Sequence, residues 1–145
     1  ATMFDEQTQS LLDLSIEDCK FGRENGRLDY TAVLLKSLVF IFHNNRKFVE
    51  SAMDIADDYD SLISHIVSNS NNPRQFWKMK GSHGSDYICM ANFCSCPSFM
   101  QQARNPHGTP FCKHLLSIKV CTALGRTKST VLSDEEFVKV FTHET

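Results

Sequence analysis

The stretch 92–120, "NFCSCPSFMQQARNPHGTPFCKHLLSIKV", gathers three cysteines and two histidines into one short polar segment. Within it, Cys94, Cys96, Cys112 and His114 form the pattern C-x-C-x15-C-x-H. Zinc takes four such ligands tetrahedrally, with sulfur at about 2.3 Å and imidazole nitrogen at about 2.0–2.1 Å. Two close pairs joined by a loop suit that geometry, because each pair sits on one turn and the loop lets the turns face each other. Four protein ligands leave no open position for a substrate or an activated water, so the pattern predicts one structural Zn2+. Two rivals remain. A disulfide framework is disfavoured in a reducing compartment. A nucleophilic pair of Cys112 and His114 lacks an oxyanion loop and a third orienting residue. His107, between Pro106 and Gly108, reads as an exposed loop histidine rather than a substitute ligand.

The elements that must position these ligands follow from their flanks. Pro97 suits the first position of a short helix to about Arg104, where its missing N–H costs nothing, and this leaves Cys96 near the N-cap. Cys112 and His114 open a longer helix, about Phe111 to Leu124, ended by Gly125. Its free N–H groups and positive dipole end favour thiolate over thiol. "NPHGTP" between the pairs is turn chemistry. Upstream, "QFWKMK" and "DYICMA" flank "GSHGS" and predict a hairpin, with "LISHIV" (62–67) as a further β segment. Earlier still, residues 5–20 predict a weak helix and "FGRENGR" a loop. Asp29 caps a helix to about His43. An amphipathic helix from about Arg46 to Asp57 sets Phe48, Val49, Ala52, Met53 and Ala56 on one face. The last two are expected to form an antiparallel hairpin, closed by the acidic "DIADDYD". Ser133 with Glu136 three residues on makes a capping box before a final short helix. The fold class is α+β: an N-terminal helical hairpin, a small antiparallel sheet and a zinc module with a C-terminal helix. The expected boundaries are a helical half over 1–72, the β-hairpin plus zinc finger over 73–125, and a tail helix over 126–145.

At 145 residues and 41% hydrophobic content the chain suits one domain with a modest core. Ala1 in place of an initiator methionine points to processing or a cloning scar. No N-terminal stretch has the order of a signal peptide. The longest apolar run, Val33 to Phe42, is broken by Lys36 and Ser37 and falls short of the ~20 residues of a membrane span. The chain is expected to be soluble and intracellular. Cys89 and Cys121 read as buried thiols acting as small hydrophobes, and Cys19 carries no signal. His43, His65, His83 and His143 are isolated. Charge is unevenly spread: net −6 over residues 1–72, +7 over 73–128 and −3 over 129–145. The basic middle allows contact with nucleic acid or an acidic protein, while a pI near 6.3 argues against a dedicated DNA binder.

The C-x-C and C-x-H spacings resemble the SWIM zinc-binding module. "Tyr87-Ile88-Cys89" running into "Cys94-Ser95-Cys96-Pro97-Ser98-Phe99", and "Cys112-Lys113-His114-Leu115-Leu116", are similar to one SWIM family in particular, the short SWIM-domain subunit of Shu complexes. The "LLKSLVFIF" helix, the following "AMDIADD" and the "LIS" strand extend the likeness over about residues 30–125. Ser117 departs from the alanine usual in that family three residues after the zinc histidine. Serine is also small, so close helix packing can survive, but any role specific to the alanine does not carry over.

The resemblance implies a function that spacing alone does not. Such proteins are non-enzymatic nuclear adaptors that pair with a RecA-like recombinase paralogue and promote recombinase filament assembly on single-stranded DNA during homologous recombination. Any single-stranded DNA contact would then come through the complex, and none with a membrane is expected. The implied metal ligands are Cys94, Cys96, Cys112 and His114. From the residues themselves, Leu35, Val39, Phe40 and Phe48 exceed what one amphipathic helix needs, so one face of the helical hairpin can dock a partner; for Val39 and Phe40 the protein's own core is the favoured place. A rival is a direct nucleic-acid-binding zinc module using Arg104, Lys113, Lys119, Arg126 and Lys128, with steep salt dependence. A substrate-recruiting zinc module of the ubiquitin system lacks a catalytic or second zinc domain here. No G-x-x-x-x-G-K-[ST] loop is present, so any ATPase activity belongs to a partner.

Overall fold

The computed structural model describes residues 4–105 and 107–144, without the side chains of residues 143 and 144. Ala1, Pro106 of the turn and the side chain of His143 therefore lie outside the described residues. The order is α1 (Glu6–Glu24), α2 (Tyr30–Ile41), α3 (Arg46–Asp57), the single turn α4 (Tyr59–Leu62), β1 (Ile63–Ser68), β2 (Gln75–Lys80), β3 (Asp86–Met90), β4 (Phe93–Cys94), α5 (Pro97–Gln102), α6 (Lys113–Leu124), β5 (Ser129–Leu132) and α7 (Asp134–Glu144).

Local chemistry starts and stops these elements. Asp5 caps α1 by accepting the Thr8 amide at 2.8 Å, and Asn45 does the same for α3 with Phe48 at 3.2 Å. Helix α1 outruns its expected end. Gly22 lies within the helix, and the Arg27 guanidinium, held by Asp18 at 3.0 Å, folds over the place where a Cβ would stand. The chain turns only at Gly26, with φ of 81°. Asp29 sits at the start of α2 but makes no side-chain cap; its carboxylate faces Arg27 instead, at 3.8 Å. At the far end Gly125 stops α6 in the left-handed conformation, φ 71°. Ser133 caps α7 through the Glu136 amide at 3.2 Å.

The α+β class holds, with two refinements. The N-terminal helical hairpin is formed by α1 and α2, not by α2 and α3. Helix α3 packs instead along α6, whose other flank takes α1. The physical reason is α6 itself. His114, Leu115, Leu116, Ser117, Ile118, Val120, Cys121, Ala123 and Leu124 are all buried, so it is apolar nearly all round and needs cover on every side. The second refinement concerns the sheet, whose strand order is β4-β3-β2-β1-β5. Four strands are antiparallel, but β5 joins β1 in parallel, pairing Ile66 with Thr130.

The main core lies between α6, the N-terminal helices and one sheet face, with Leu12, Leu34, Leu38, Val49, Met79, Leu116 and Val120 at its centre. A smaller core on the opposite face joins Ile66, Phe76 and Ile88 to Phe137, Val140 and Phe141 of α7. Of the four hairpin residues read as a docking face, Val39 and Phe48 pack against the main core. Leu35 and Phe40 stay exposed, Phe40 at 72%, which removes Phe40 from the protein's own core.

Candidate metal centre

Three elements deliver the ligands. Cys94 ends β4, Cys96 is the N-cap of α5, and Cys112 is the N-cap of α6 with His114 in its first turn. Pro97 occupies the first turn of α5. Ser95, between the first two cysteines, is pinned to β3: its N–H donates to the Ile88 carbonyl at 3.0 Å and its hydroxyl accepts from the Ile88 amide at 2.9 Å. The second pair is brought back by Gln102, whose side-chain carbonyl accepts the Phe111 amide at 3.0 Å. Asn105 shapes the intervening turn by accepting the His107 amide at 2.9 Å.

The ligand atoms of Cys94, Cys96, Cys112 and His114 all lie within 4.8 Å of one another. Nδ1 of His114 is 3.8 Å from the Cys94 sulfur and 3.9 Å from the Cys112 sulfur. A tetrahedral ion with Zn–S and Zn–N bonds of ordinary length has S···N and S···S edges of roughly 3.5–3.8 Å. The two sulfur-to-Nδ1 separations lie close to those edges, with Nδ1 as the imidazole atom facing both sulfurs. All four side chains are buried, and His114 is the most open at 9%. The Tyr87 ring lies against His114 at 5.3 Å.

Burial makes this a poor place for bare thiolates. The Cys96 thiol is held well below its ordinary range by hydrogen bonds from Cys112 and Cys94 and by the Phe99 amide. Its partner Cys112 is pushed up by those same thiols, Cys94 first and then Cys96, and by desolvation. One negative charge is tolerated, and further ones are not, unless a cation shares the site. Three soft sulfurs and an imidazole are the donor set that suits zinc.

Other candidate groups fall elsewhere. Among the described residues the Cys94–Cys96–Cys112–His114 cluster is the one group of three or more Cys, His, Asp or Glu side chains placed to hold a metal. His65 stacks on Trp77 at 4.8 Å and hydrogen-bonds Ser129 and Gln75. His43 faces the Phe40 carbonyl at 3.3 Å, and His107 is exposed in its loop. Cys121 is buried, and burial pushes its thiol up to about 11. Cys19 is buried where α1 meets the Tyr30 and Ala123 carbonyls. Cys89 differs from both: its sulfur lies 3.5 Å from that of Cys94. Alternation places Cys89 on the Tyr87 face of β3, but only the β3–β4 register sets it opposite Cys94. Ser95 and Gln102 carry no motif signal at all, since their work depends on the tertiary neighbours they bond.

No family model matches the chain, and no solved structure matches it. Two curated proteins do. The "Zinc finger SWIM domain-containing protein 7 homolog" of Dictyostelium discoideum is 28% identical over 105 residues, which are 71% of this chain and 64% of that protein. The "Zinc finger SWIM domain-containing protein 7" of Danio rerio is 24% identical over 95 residues, 64% of this chain and 65% of that protein. The matched stretches thus span just under two thirds of the length of these relatives. The chain is similar to SWIM zinc-finger proteins, and its Cys/His cluster fits a SWIM zinc module.

Proposed function

We propose that this protein is a non-enzymatic zinc-binding adaptor that pairs with a RecA-like recombinase paralogue. In that complex it promotes recombinase filament assembly on single-stranded DNA during homologous recombination, in the nucleus. The observation that carries the reading is the closed, buried set Cys94, Cys96, Cys112 and His114 in a chain similar to SWIM zinc-finger proteins. When bound there, zinc supplies four bonds that tie chain segments together. The residues turn those bonds into architecture: they join the edge strand β4, the start of α5 and the start of α6. Helix α6 is the element on which α1 and α3 pack, so its anchoring reaches the whole helical half. Four protein ligands leave no open position for chemistry, which favours a structural role.

Charge favours the adaptor over a direct nucleic-acid module. Two of the five basic residues offered for DNA have acidic neighbours within the protein. Arg126 pairs with Asp57 at 3.0 Å and Lys128 with Asp60 at 3.3 Å. These acids belong to the "DIADDYD" stretch and reduce the positive field that phosphate binding needs.

The test is co-expression with RecA-like paralogues, followed by filament assembly assays on single-stranded DNA. The adaptor reading expects a stable stoichiometric complex that speeds filament growth and contains zinc. A zinc-loaded chain that binds no paralogue, yet retains single-stranded DNA with steep salt dependence, contradicts it.

A further inference from the structure

The sulfurs of the cluster differ in where their hydrogen-bond donors come from. Cys96 caps α5 and accepts the Phe99 amide at 3.4 Å. Cys112 stands at the N-cap of α6 but makes no side-chain cap hydrogen bond there. These two cysteines stand at helix starts, where amides are free to donate. Cys94 stands on a two-residue strand. The donor on its sulfur is another side chain, the thiol of Cys89, at 3.5 Å. The two cysteines are direct cross-strand partners in the β3–β4 ladder, and both are fully buried.

We propose that Cys89 is a positioning residue of the metal centre: its S–H donates to the Cys94 thiolate and gives the strand ligand what the Phe99 amide gives Cys96. The proposal rests on reading the cluster as a zinc site. Three thiolates around a divalent ion leave about one net negative charge in a buried place. Such charge is costly unless donors spread it, and donors around a metal orient and tune the ligands they touch. A buried neutral thiol is a compact donor that fits an otherwise apolar position. The competing account is that Cys89 merely fills space on the Tyr87 face of β3. The two accounts separate on chemistry, because a hydroxyl can replace the donor and a methyl group cannot.

The experiment compares the full chain with Cys89→Ser and Cys89→Val, loading each with zinc or cobalt. Metal retention is read by chelator competition. The sulfur-to-cobalt charge-transfer band reports how electron-rich the thiolates are. The expected result for Cys89→Val is metal affinity lower by about tenfold and a band moved to lower energy. Cys89→Ser should keep both near the wild type, whatever either variant does to the melting temperature. Cys89→Ala removes the donor without the branched side chain if valine prevents folding. Equal affinity and an unmoved band in the donor-less variants overturn the proposal, as does a serine variant that behaves like valine. A folded wild-type chain that takes up neither ion overturns the zinc reading itself, and the proposal with it.

Discussion

Ile88 and Cys89 are neighbours in β3 and serve opposite faces of one sheet. Ile88 joins Phe76 and Ile66 beneath α7, where Phe137 and Phe141 meet Phe76 edge-on at 5.2 and 5.4 Å. Cys89 faces the other way, toward Cys94 and the ligand cluster. The first face is held by apolar burial and needs nothing more. The second buries three thiols and an imidazole, polar groups that burial penalises unless a cation pairs them. One sheet thus carries one face held by apolar burial alone and one whose large apolar core adjoins a cluster that is conditional on a cation. Metal removal should separate them.

The sharpest way to break the comparison is to remove a ligand. Cys112→Ser or His114→Ala should take bound zinc from one per chain to none. Structural zinc contributes about 10–16 kcal/mol in small finger peptides, against about 5–15 kcal/mol for a whole domain. The ligand variants should therefore lose the α6 side of the molecule, read by circular dichroism and proteolysis, and lose partner binding with it. Lowering the pH should act in the same direction. The bound state needs deprotonated cysteines and a neutral imidazole, so zinc is held at neutral pH and released as pH falls.

Phe76→Ala attacks the other face. It should cost about 3–5 kcal/mol in denaturant titration, yet leave one zinc per folded chain. Zinc loss from Phe76→Ala in still-folded protein would erase the distinction between the faces. Cys121→Ser puts a hydroxyl in a buried site and should cost about 1–3 kcal/mol with metal content unchanged. The Cys121 thiol titrates near 11 in the folded protein, above the ordinary 9.0. Its contribution to stability is therefore complete below pH 9 and declines as pH rises toward 11, and native alkylation at pH 8 should be slow. The smallest effect belongs to Lys128→Ala. It breaks an ion pair exposed on both sides and should change stability by no more than about 1 kcal/mol.

These regions also differ in how much of them the sequence discloses. Each pair singled out by C-x-C or C-x-H spacing spans a single turn, so spacing already implies proximity within the pair, while the meeting of the two pairs depends on contacts such as that of Gln102 with the Phe111 amide. Helix α3 was legible over Arg46–Asp57 because its apolar residues recur at three- and four-residue intervals. The capping box of α7 was legible for the same local reason. What the sequence hides is non-local. "STVL" forms β5 with three exposed residues and no alternating pattern, and it pairs with a strand some 60 residues away. Which helix accompanies α2 is decided by α6, whose all-round burial claims α3. The packing of Arg27 over Gly22 inside α1 also lies outside any local pattern. The nearness of Cys89 to Cys94 depends on strand register, which a tight turn at residues 91–92 sets.

The central claim is that the Cys94–Cys96–Cys112–His114 cluster on the second face is built around a metal. It is tested most directly by mass spectrometry of the purified chain under native and then denaturing conditions. The account requires a native mass higher by one zinc ion, lost on denaturation and absent from Cys112→Ser. A folded wild-type chain without metal, or full zinc occupancy in Cys112→Ser, would contradict it.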